Sequence, residues 1–545
     1  MGVGYRRSGT QSPAERIGRI LPRRGDVLRS VLLRFVPDPD VRLNMGGDAE
    51  PGIDRQSASQ SAVTPARIPR GEHYRRSMAM PSPSWSCDSF VVMPDATVGG
   101  RLLFGKNSDR PARECQPLRR VRARSGGGRL ELAYLEIPDA DQTYDHIASS
   151  PYWCWGHEIG MNSEGVVIGN EALFTRDLAA TAAADRRAVA EGTERPPLGL
   201  LGMELLRLGL ERGGSAAEAV EVITGLLERY GQWGAGTVGQ DRASAAYDNA
   251  YAIADPHDAY VLETSGRDWA VRRVESGTAA ISNEPTIRTD WTALSAGLEN
   301  RARGNRWLGS GPRLDVAETI TDPGTPLQLS HIRLQRSRQL LDSAATTAGV
   351  DWAAARTVLT DHYEQTFLAG PAFNAARPDF LTLCMHDSPA GFTWGNTAAS
   401  VIAVPGARHA YWWWAATTPC TSIYIPVAVA GSDLPSGLET PGAAAGAGPC
   451  PESARPDVPA DGSYWWTFQL LLEAVCGDHD GVCYADRQPR VRQVFDPLQA
   501  EFLAATDELD HADASVAAWD DLTRDCAEAA RHAAKGLLAE FVTDE

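Results

Sequence analysis

The chain has 545 residues, 43% of them apolar, and a formal charge of −18, enough apolar material for a large buried core and two to four domains by length. Acidity of this size argues against a nucleic-acid partner, because phosphate backbones are held by clusters of Lys and Arg. No stretch approaches the 18 or so apolar residues of a membrane span; the longest, Ile423 to Ala430, has the length of a buried strand.

Residues 1–77 hold 14 Arg, no Lys and 8 acidic residues, a net +6 that leaves −24 on the rest. Rich in Gly, Pro and Ser, the segment has the composition of a disordered chain. Its one apolar cluster, Val27 to Val36, is interrupted by Arg29 and Arg34, so it does not form the uncharged core of a secretory signal. Residues 1–86 are accordingly expected to be a disordered leader or propeptide, or to precede a true start at Met78 or Met80.

Short apolar runs at Ser89–Pro94 and Arg101–Gly105 flank a turn and predict a hairpin, and Glu158–Met161 with Val166–Gly169 predict a second. Leu198–Leu210 and Ser215–Tyr230 have helical spacing broken at Gly213-Gly214. Ala250–Ala254, Ala259–Glu263 and Trp269–Val274 read as an antiparallel meander. Helices are expected over Leu327–Ala345 and Trp352–His362, then strands over Thr393–Val404 and His409–Trp414. Residues 431–462, rich in Ala, Gly and Pro, read as a linker or loop, and 463–545 as a helical C-terminal extension. Strands, then helices, then strands, without regular βαβ alternation, favour a layered α+β fold, with a core over 87–430.

Nine cysteines without framework spacing read as separate thiols of a reducing cytosol, which makes a cytoplasmic location the expectation. Cys476 and Cys483, with His479 between them, lack zinc spacing. Cys384-Met-His386 alternates as a core strand does, and Trp412-Trp-Trp414 reads as sheet core or an aromatic substrate wall. No His-x-x-x-His cluster appears, and no cofactor or metal is expected.

A hairpin centred on Val98 places residue 109 opposite Cys87, bringing the thiol beside Lys106, Asp109 and Arg110. Cationic neighbours stabilise a thiolate. Lys106 is one of only two lysines among 52 basic residues, so a compact ammonium has been chosen there over the prevailing guanidinium. On spacing alone, a buried strand-end thiol beside a solvated turn fits equally.

The run Cys87-Asp-Ser-Phe90 followed by Phe104-Gly-Lys-Asn-Ser-Asp-Arg110 resembles the opening of the secernin/dipeptidase family of cysteine N-terminal-nucleophile (Ntn) hydrolases. Further blocks keep the family's order: Pro151-Tyr-Trp-Cys-Trp-Gly156 with Glu158-Ile-Gly-Met-Asn162, Ile168-Gly-Asn-Glu171, Arg207-Leu-Gly-Leu-Glu-Arg212, Ile281-Ser-Asn283, Cys384-Met-His386 and Tyr464-Trp465. The resemblance spans roughly 87–480. It implies a four-layer αββα sandwich and an amidohydrolase that cleaves C–N bonds of small peptides or acyl-amino compounds, with Cys87 exposed as residue one after cleavage from Ser86. By analogy with the related penicillin V acylases and bile salt hydrolases, Asp109 would orient the new amine. Lys106 stands where those relatives have an arginine, Asn170 and Asn283 would lie near the oxyanion, and Arg333 best matches a site arginine, with Arg336 and Arg338 as neighbours. A non-catalytic binding or regulatory protein on the same scaffold is the alternative. The implied partner is a small substrate, not a nucleic acid or a membrane, and a homo-oligomer is compatible with the family.

Overall fold

The computed structural model describes residues 86–307, 313–324, 328–369, 382–387, 395–443, 450–451, 454–478 and 481–543. Residues 1–85 of the expected leader, and His479, lie outside the described residues. The first described elements are β1 (Cys87–Val92) and β2 (Leu103–Pro111), which pair antiparallel with Cys87 opposite Ser108, Ser89 opposite Lys106 and Phe90 opposite Gly105. The expected register is therefore off by one. The turn is centred between Thr97 and Val98, and continuing the ladder past Cys87 brings Ser86, not the cysteine, opposite Asp109. A slip of one residue exchanges faces, so Cys87, Ser89, Lys106 and Ser108 share one face of the hairpin while Asp88, Phe90, Gly105 and Asn107 share the other.

Around this hairpin runs a six-stranded sheet in the order β12 (Thr278–Ile281), β1, β2, β14 (Gly395–Val404), β15 (Tyr411–Ala416), β16 (Ile425–Ala428). An eight-stranded sheet has the order β13 (Ala293–Leu294), β11 (Asp268–Val274), β10 (Ala259–Ser265), β9 (Asp248–Ala254), β8 (Val167–Leu173), β7 (Ile159–Asn162), β6 (His146–Ser149), β3 (Leu118–Val121). β4 (Arg129–Glu131) and β5 (Glu136–Pro138) form a separate ribbon. The ladders between these named strands are antiparallel. The chain is a mixed α/β protein built on antiparallel sheets.

The helices are α1 (Arg176–Glu191), α2 (Gly202–Arg212), α3 (Ala216–Tyr230), the short α4 (Arg242–Ala245), α5 (Leu298–Asn305) and α6 (Val316–Ile320), then α7 (Gln328–Thr347), α8 (Trp352–Leu359), α9 (Tyr464–Cys476), α10 (Tyr484–His511) and α11 (Val516–Thr543). Their starts follow ordinary capping chemistry. Side chains of Thr175, Ser215, Asp351 and Ser463 accept from backbone N–H groups in the first turns of α1, α3, α8 and α9. The break at Gly213 separates α2 from α3 as expected; a Cβ there would meet the Ala219 nitrogen at 2.7 Å. Helix α1 was not foreseen, because its alanine and charge content gives only a shallow apolar stripe.

Helices α2 and α3 pack on β7–β11, while α7 lies on β12 and β1, α8 on β14 and β2, and α11 on β16. Strand β1 also lies against β8. The apolar residues form one large cluster around the six-stranded sheet and the C-terminal helices, and a second between the eight-stranded sheet and α2/α3. Trp412, Trp413 and Trp414 are at most 2% exposed: Trp413 stacks edge-on to Trp352 of α8 at 5.6 Å, while Trp414 Nε1 reaches Ser149 of the other sheet at 3.2 Å. They are core, with no face left for substrate. Residues 431–443 and 454–462 carry no helix or strand, yet Leu434 and Leu438 are buried in the large cluster.

Two glycines set how closely these layers approach. A Cβ on Gly105 would fall 2.1 Å from Phe90 Cζ, and one on Gly169 of β8 would fall 2.6 Å from Lys106 Cδ. The first lets the Phe90 ring lie flat across β2; the second lets the Lys106 stem cross β8. Gly105→Ala is expected to lower stability by about 1–3 kcal/mol through overpacking. Adding Phe90→Leu should recover part of that loss, a non-additivity that denaturant unfolding of the two single variants and the double variant would measure.

Candidate functional site

The site is assembled where the N-terminal end of β1 meets the C-terminal half of β2. Cys87 is 6% exposed and lies at the base of a small cleft enclosing about 200 Å³, open mouth included, lined by Ser86, Cys87, Asp109, Arg110, Glu158, Asn170, Ala172 and Tyr247. The backbone N–H of Asp109 points at Cys87 Sγ at 3.3 Å, which favours a sulfur carrying negative charge. The Cys87 nitrogen, here still a peptide nitrogen, donates to Asn283 Oδ1 at 2.9 Å. Ser86 Oγ donates to Asp109 Oδ2 at 2.6 Å and Thr397 Oγ1 donates to Asp109 Oδ1 at 2.6 Å, so both carboxylate oxygens are occupied. A β-bulge in β14 beside Thr397 sets that contact.

Arg333 reaches in from α7, fully buried. Its guanidinium pairs with Asp88, donates to the Cys87 carbonyl at 3.2 Å and to Asn283 Oδ1 at 2.7 Å. Asn283 in turn donates to the Ala172 carbonyl at 2.9 Å, so its oxygen is aimed at the Cys87 nitrogen by two fixed neighbours. Of the three candidate arginines, Arg333 is the one at Cys87. Arg336 is engaged one turn away with Asp361 at 2.7–3.1 Å.

Lys106 does not line the cleft. Buried on the inter-sheet face, it bonds the Asn170 carbonyl and lies 3.3 Å from Glu171 Oε1, which also accepts from Ser89 Oγ. The Asn170 amide is best satisfied with its nitrogen toward Glu158, donating to the carboxylate and the carbonyl at 3.0 Å each, its other end facing Asn249 at 3.1 Å. The six residues expected at the site therefore gather around Cys87. Cys87, Asp109 and Asn170 line the cleft, Asn283 and Arg333 sit behind the Cys87 backbone, and Lys106 supports Asn170 from below.

Sequence reasoning missed three contributors. Glu158, visible inside a quoted motif without a role attached, forms a buried ion pair at 2.9 Å in the cleft wall with Arg110, which was expected beside the thiol as a free cation and is instead held by Glu158 and Glu114. Tyr247 and Thr397 carried no local signal; Tyr247 immediately precedes β9 and Thr397 lies in β14.

Burial dominates the electrostatics. It pushes the Cys87 thiol well up, with Lys106 opposing it. Burial also pushes Glu171 up to about 7 against the pull of Lys106. For Lys106 itself, burial would lower the pKa, but Cys87, Glu171 and Glu158 outweigh it and keep the ammonium charged. Burial, then the nearby Asp88, pushes Asp109 up to about 7 although the Ser86 and Thr397 hydrogen bonds favour its charged form.

No family model matches the chain. Among solved structures, it superposes on two variants of the conjugated bile acid hydrolase of Clostridium perfringens. One has TM-score 0.34 and 12% identity, over 60% of this chain and 88% of that one; the other has TM-score 0.33 and 12% identity, over 61% and 89%. It also superposes on a Caenorhabditis elegans ortholog of N-acylethanolamine-hydrolyzing acid amidase, with TM-score 0.30 and 10% identity, over 59% and 94%. At such scores and identities, shape assigns no activity to this chain.

A carboxyl raised from 3.8 to about 7 keeps a proton in the folded chain that the unfolded chain has already released. Its contribution to stability is full below about pH 4 and is lost as pH rises through about 7. In a Cys87→Ala background, adding Asp109→Asn should raise the denaturant midpoint at pH 8 relative to its effect at pH 5. An equal effect at both pH values would show that Asp109 is already ionised in the fold.

Proposed function

We propose that the chain is a cysteine-type N-terminal-nucleophile amidohydrolase of the secernin/dipeptidase kind, cleaving the C–N bond of a small peptide or acyl-amino compound on a four-layer αββα scaffold. The observation that carries the reading is the surroundings of the Cys87 nitrogen. It is held by Asn283 at 2.9 Å, and its neighbour Ser86 occupies the Asp109 carboxylate at 2.6 Å. Removing Ser86 turns that nitrogen into an α-amine and frees one carboxylate oxygen beside it. The residue that must leave is the one masking the group that orients the amine.

Processing begins with attack of Cys87 Sγ on the Ser86 carbonyl carbon. The peptide bond becomes a thioester, and water releases the upstream segment. A free α-amine has a pKa near 8 and sits within reach of its own thiol, so it takes the thiol proton near neutral pH. The thiolate attacks the substrate carbonyl, and the amine returns the proton to the leaving nitrogen. Hydrolysis of the thioester then restores the thiol. Burial holds the thiol up in the chain that retains Ser86, and a new ammonium next to the sulfur acts in the opposite direction, together with Lys106. Asn170 is the side-chain amide best placed in the cleft to bond the oxyanion, after turning from Glu158.

One observation favours the alternative of a non-catalytic scaffold: with Ser86 attached, the thiol is almost fully buried. The N-terminus discriminates. Expressed from Met1 or from Met80, the purified chain should begin at Cys87 by intact mass and N-terminal sequencing. A chain that keeps Ser86 and hydrolyses nothing would establish the scaffold reading. Cys87→Ala should abolish processing and lower turnover of dipeptides or acyl-amino acids roughly 10³-fold or more. Asp109→Ala should slow processing and reduce kcat by about 10²-fold. An unprocessed chain with full activity would sink the mechanism.

A further inference from the structure

Some distance along the chain from Cys87, four side chains from separated stretches meet. His362 follows α8, Cys384 and His386 lie in the segment 382–387, and Cys420 lies between β15 and β16. All four are at most 5% exposed, and their ligand atoms lie within 4.8 Å of one another. The expected core strand at Cys384-Met-His386 is not formed; the segment belongs to no strand and bends at Leu383-Cys384, and both flanking side chains turn into the cluster.

The geometry is not that of a hydrogen-bonded group. His386 Nε2 has His362 Nε2 at 3.2 Å, Cys420 Sγ at 3.2 Å and Cys384 Sγ at 3.7 Å. A ring nitrogen offers one hydrogen or one lone pair, in the ring plane, and serves one such neighbour. The same distances are those between ligands of a tetrahedral ion. With bonds of about 2.0 Å to nitrogen and 2.3 Å to sulfur, tetrahedral angles put two nitrogens about 3.3 Å apart and nitrogen and sulfur about 3.5 Å apart. Charge agrees as well, since two thiolates and two neutral imidazoles cancel a divalent cation and leave nothing uncompensated in the core.

We infer that His362, Cys384, His386 and Cys420 form a Cys₂His₂ site for a zinc ion with a structural role. The soft sulfur and imidazole donors exclude calcium and magnesium as natural occupants. Four protein ligands with no exposed edge leave no position for a reacting water, which separates a structural from a catalytic zinc site. The surroundings are those of a supported site. His362 Nδ1 lies 3.0 Å from Glu364 Oε1, the carboxylate–histidine arrangement that fixes the ring and its tautomer. Tyr484 of α10 donates to Cys420 Sγ at 3.3 Å, and Gln488 of α10 donates to the Cys420 carbonyl at 3.1 Å.

The site also has a path to Asp109. Met385, between the two ligands, exchanges hydrogen bonds with Thr397: its nitrogen donates to Thr397 Oγ1 at 3.0 Å, and its carbonyl accepts from Thr397 N at 3.0 Å. Thr397 Oγ1 is the group that holds Asp109. Asn107 of β2 ties the same segment down through the Leu383 carbonyl at 2.7 Å. Metal binding at one end of this segment therefore fixes the hydroxyl that fixes the carboxylate.

The test is metal content of the full chain purified without affinity metals or chelators, by inductively coupled plasma mass spectrometry. About one zinc per chain is expected, falling to below about 0.1 in Cys384→Ser and Cys420→Ser and unchanged in Cys450→Ser. Cys87→Ala should retain the zinc, so the outcome does not depend on the amidohydrolase reading. If the ligand variants fail to fold, the intact chain still decides. Chelator-treated protein titrated with Co²⁺ should develop the intense ligand-field bands and sulfur-to-cobalt charge transfer of a tetrahedral thiolate site at one equivalent. A chain that carries no zinc and gives no such spectrum would overturn the inference. So would a Cys384–Cys420 disulfide in non-reducing peptide mapping, or full zinc content in both Cys→Ser variants.

Discussion

Strand β1 is buried on both faces, and the site depends on the fact that each face carries a cation with nowhere else to go. Lys106 lies against the inter-sheet face and Arg333 against the helix face, both 0% exposed. A buried charge is tolerated only when it is paired and hydrogen-bonded. Each cation has recruited a carboxylate, Glu171 for Lys106 and Asp88 for Arg333, and then a backbone carbonyl, that of Asn170 for the lysine and that of Cys87 for the arginine. Those secondary bonds position the site. Lys106 pins the backbone that carries Asn170, and Arg333 pins both the Cys87 carbonyl and the Asn283 oxygen that meets the Cys87 nitrogen.

The choice of lysine at 106 follows from the same constraint. Its stem crosses β8 at Gly169, where even a Cβ would be too close. A planar guanidinium is wider than an ammonium and brings five donors to be satisfied. The space beside Glu171 and the Asn170 carbonyl, the two acceptors of the Lys106 ammonium, suits a compact charge.

Much of this was legible in sequence wherever the signal was local. The two hairpins, the α2–α3 pair and the β9–β11 meander are periodic segments bounded by turn residues, and they formed within a few residues of expectation. Lys106 stood out because the chain otherwise uses arginine. The register of β1 and β2 did not, because a turn's length fixes the ladder only when its type is known, and the short 3₁₀ turn at Pro94–Ala96 shifted the centre by half a residue. Choosing Arg333 over Arg336 and Arg338 needed the rotational setting of α7 on β1 and β12, a property of packing. The Cys₂His₂ cluster was out of reach for a related reason. Its ligands are spread over positions 362 to 420, without the paired short spacing by which zinc sites announce themselves, and only the fold brings them within 4.8 Å.

The off-by-one register changes the chemistry more than it changes the fold. With Cys87 opposite Asp109, the carboxylate would face the thiol directly and add to the opposition to ionisation that Asp109 already exerts. With Ser86 opposite Asp109, the carboxylate lies across from the residue whose removal the proposed mechanism requires and one step from the nitrogen it would free. In the proposed processed chain a carboxylate there would face the new ammonium, while the Asp109 backbone N–H, not the carboxylate, is what meets the sulfur at 3.3 Å. One residue thus presents a donor to the sulfur and, in the proposed mechanism, an acceptor for the amine, and that division of labour is possible only because the strand register places its side chain and its backbone against different atoms.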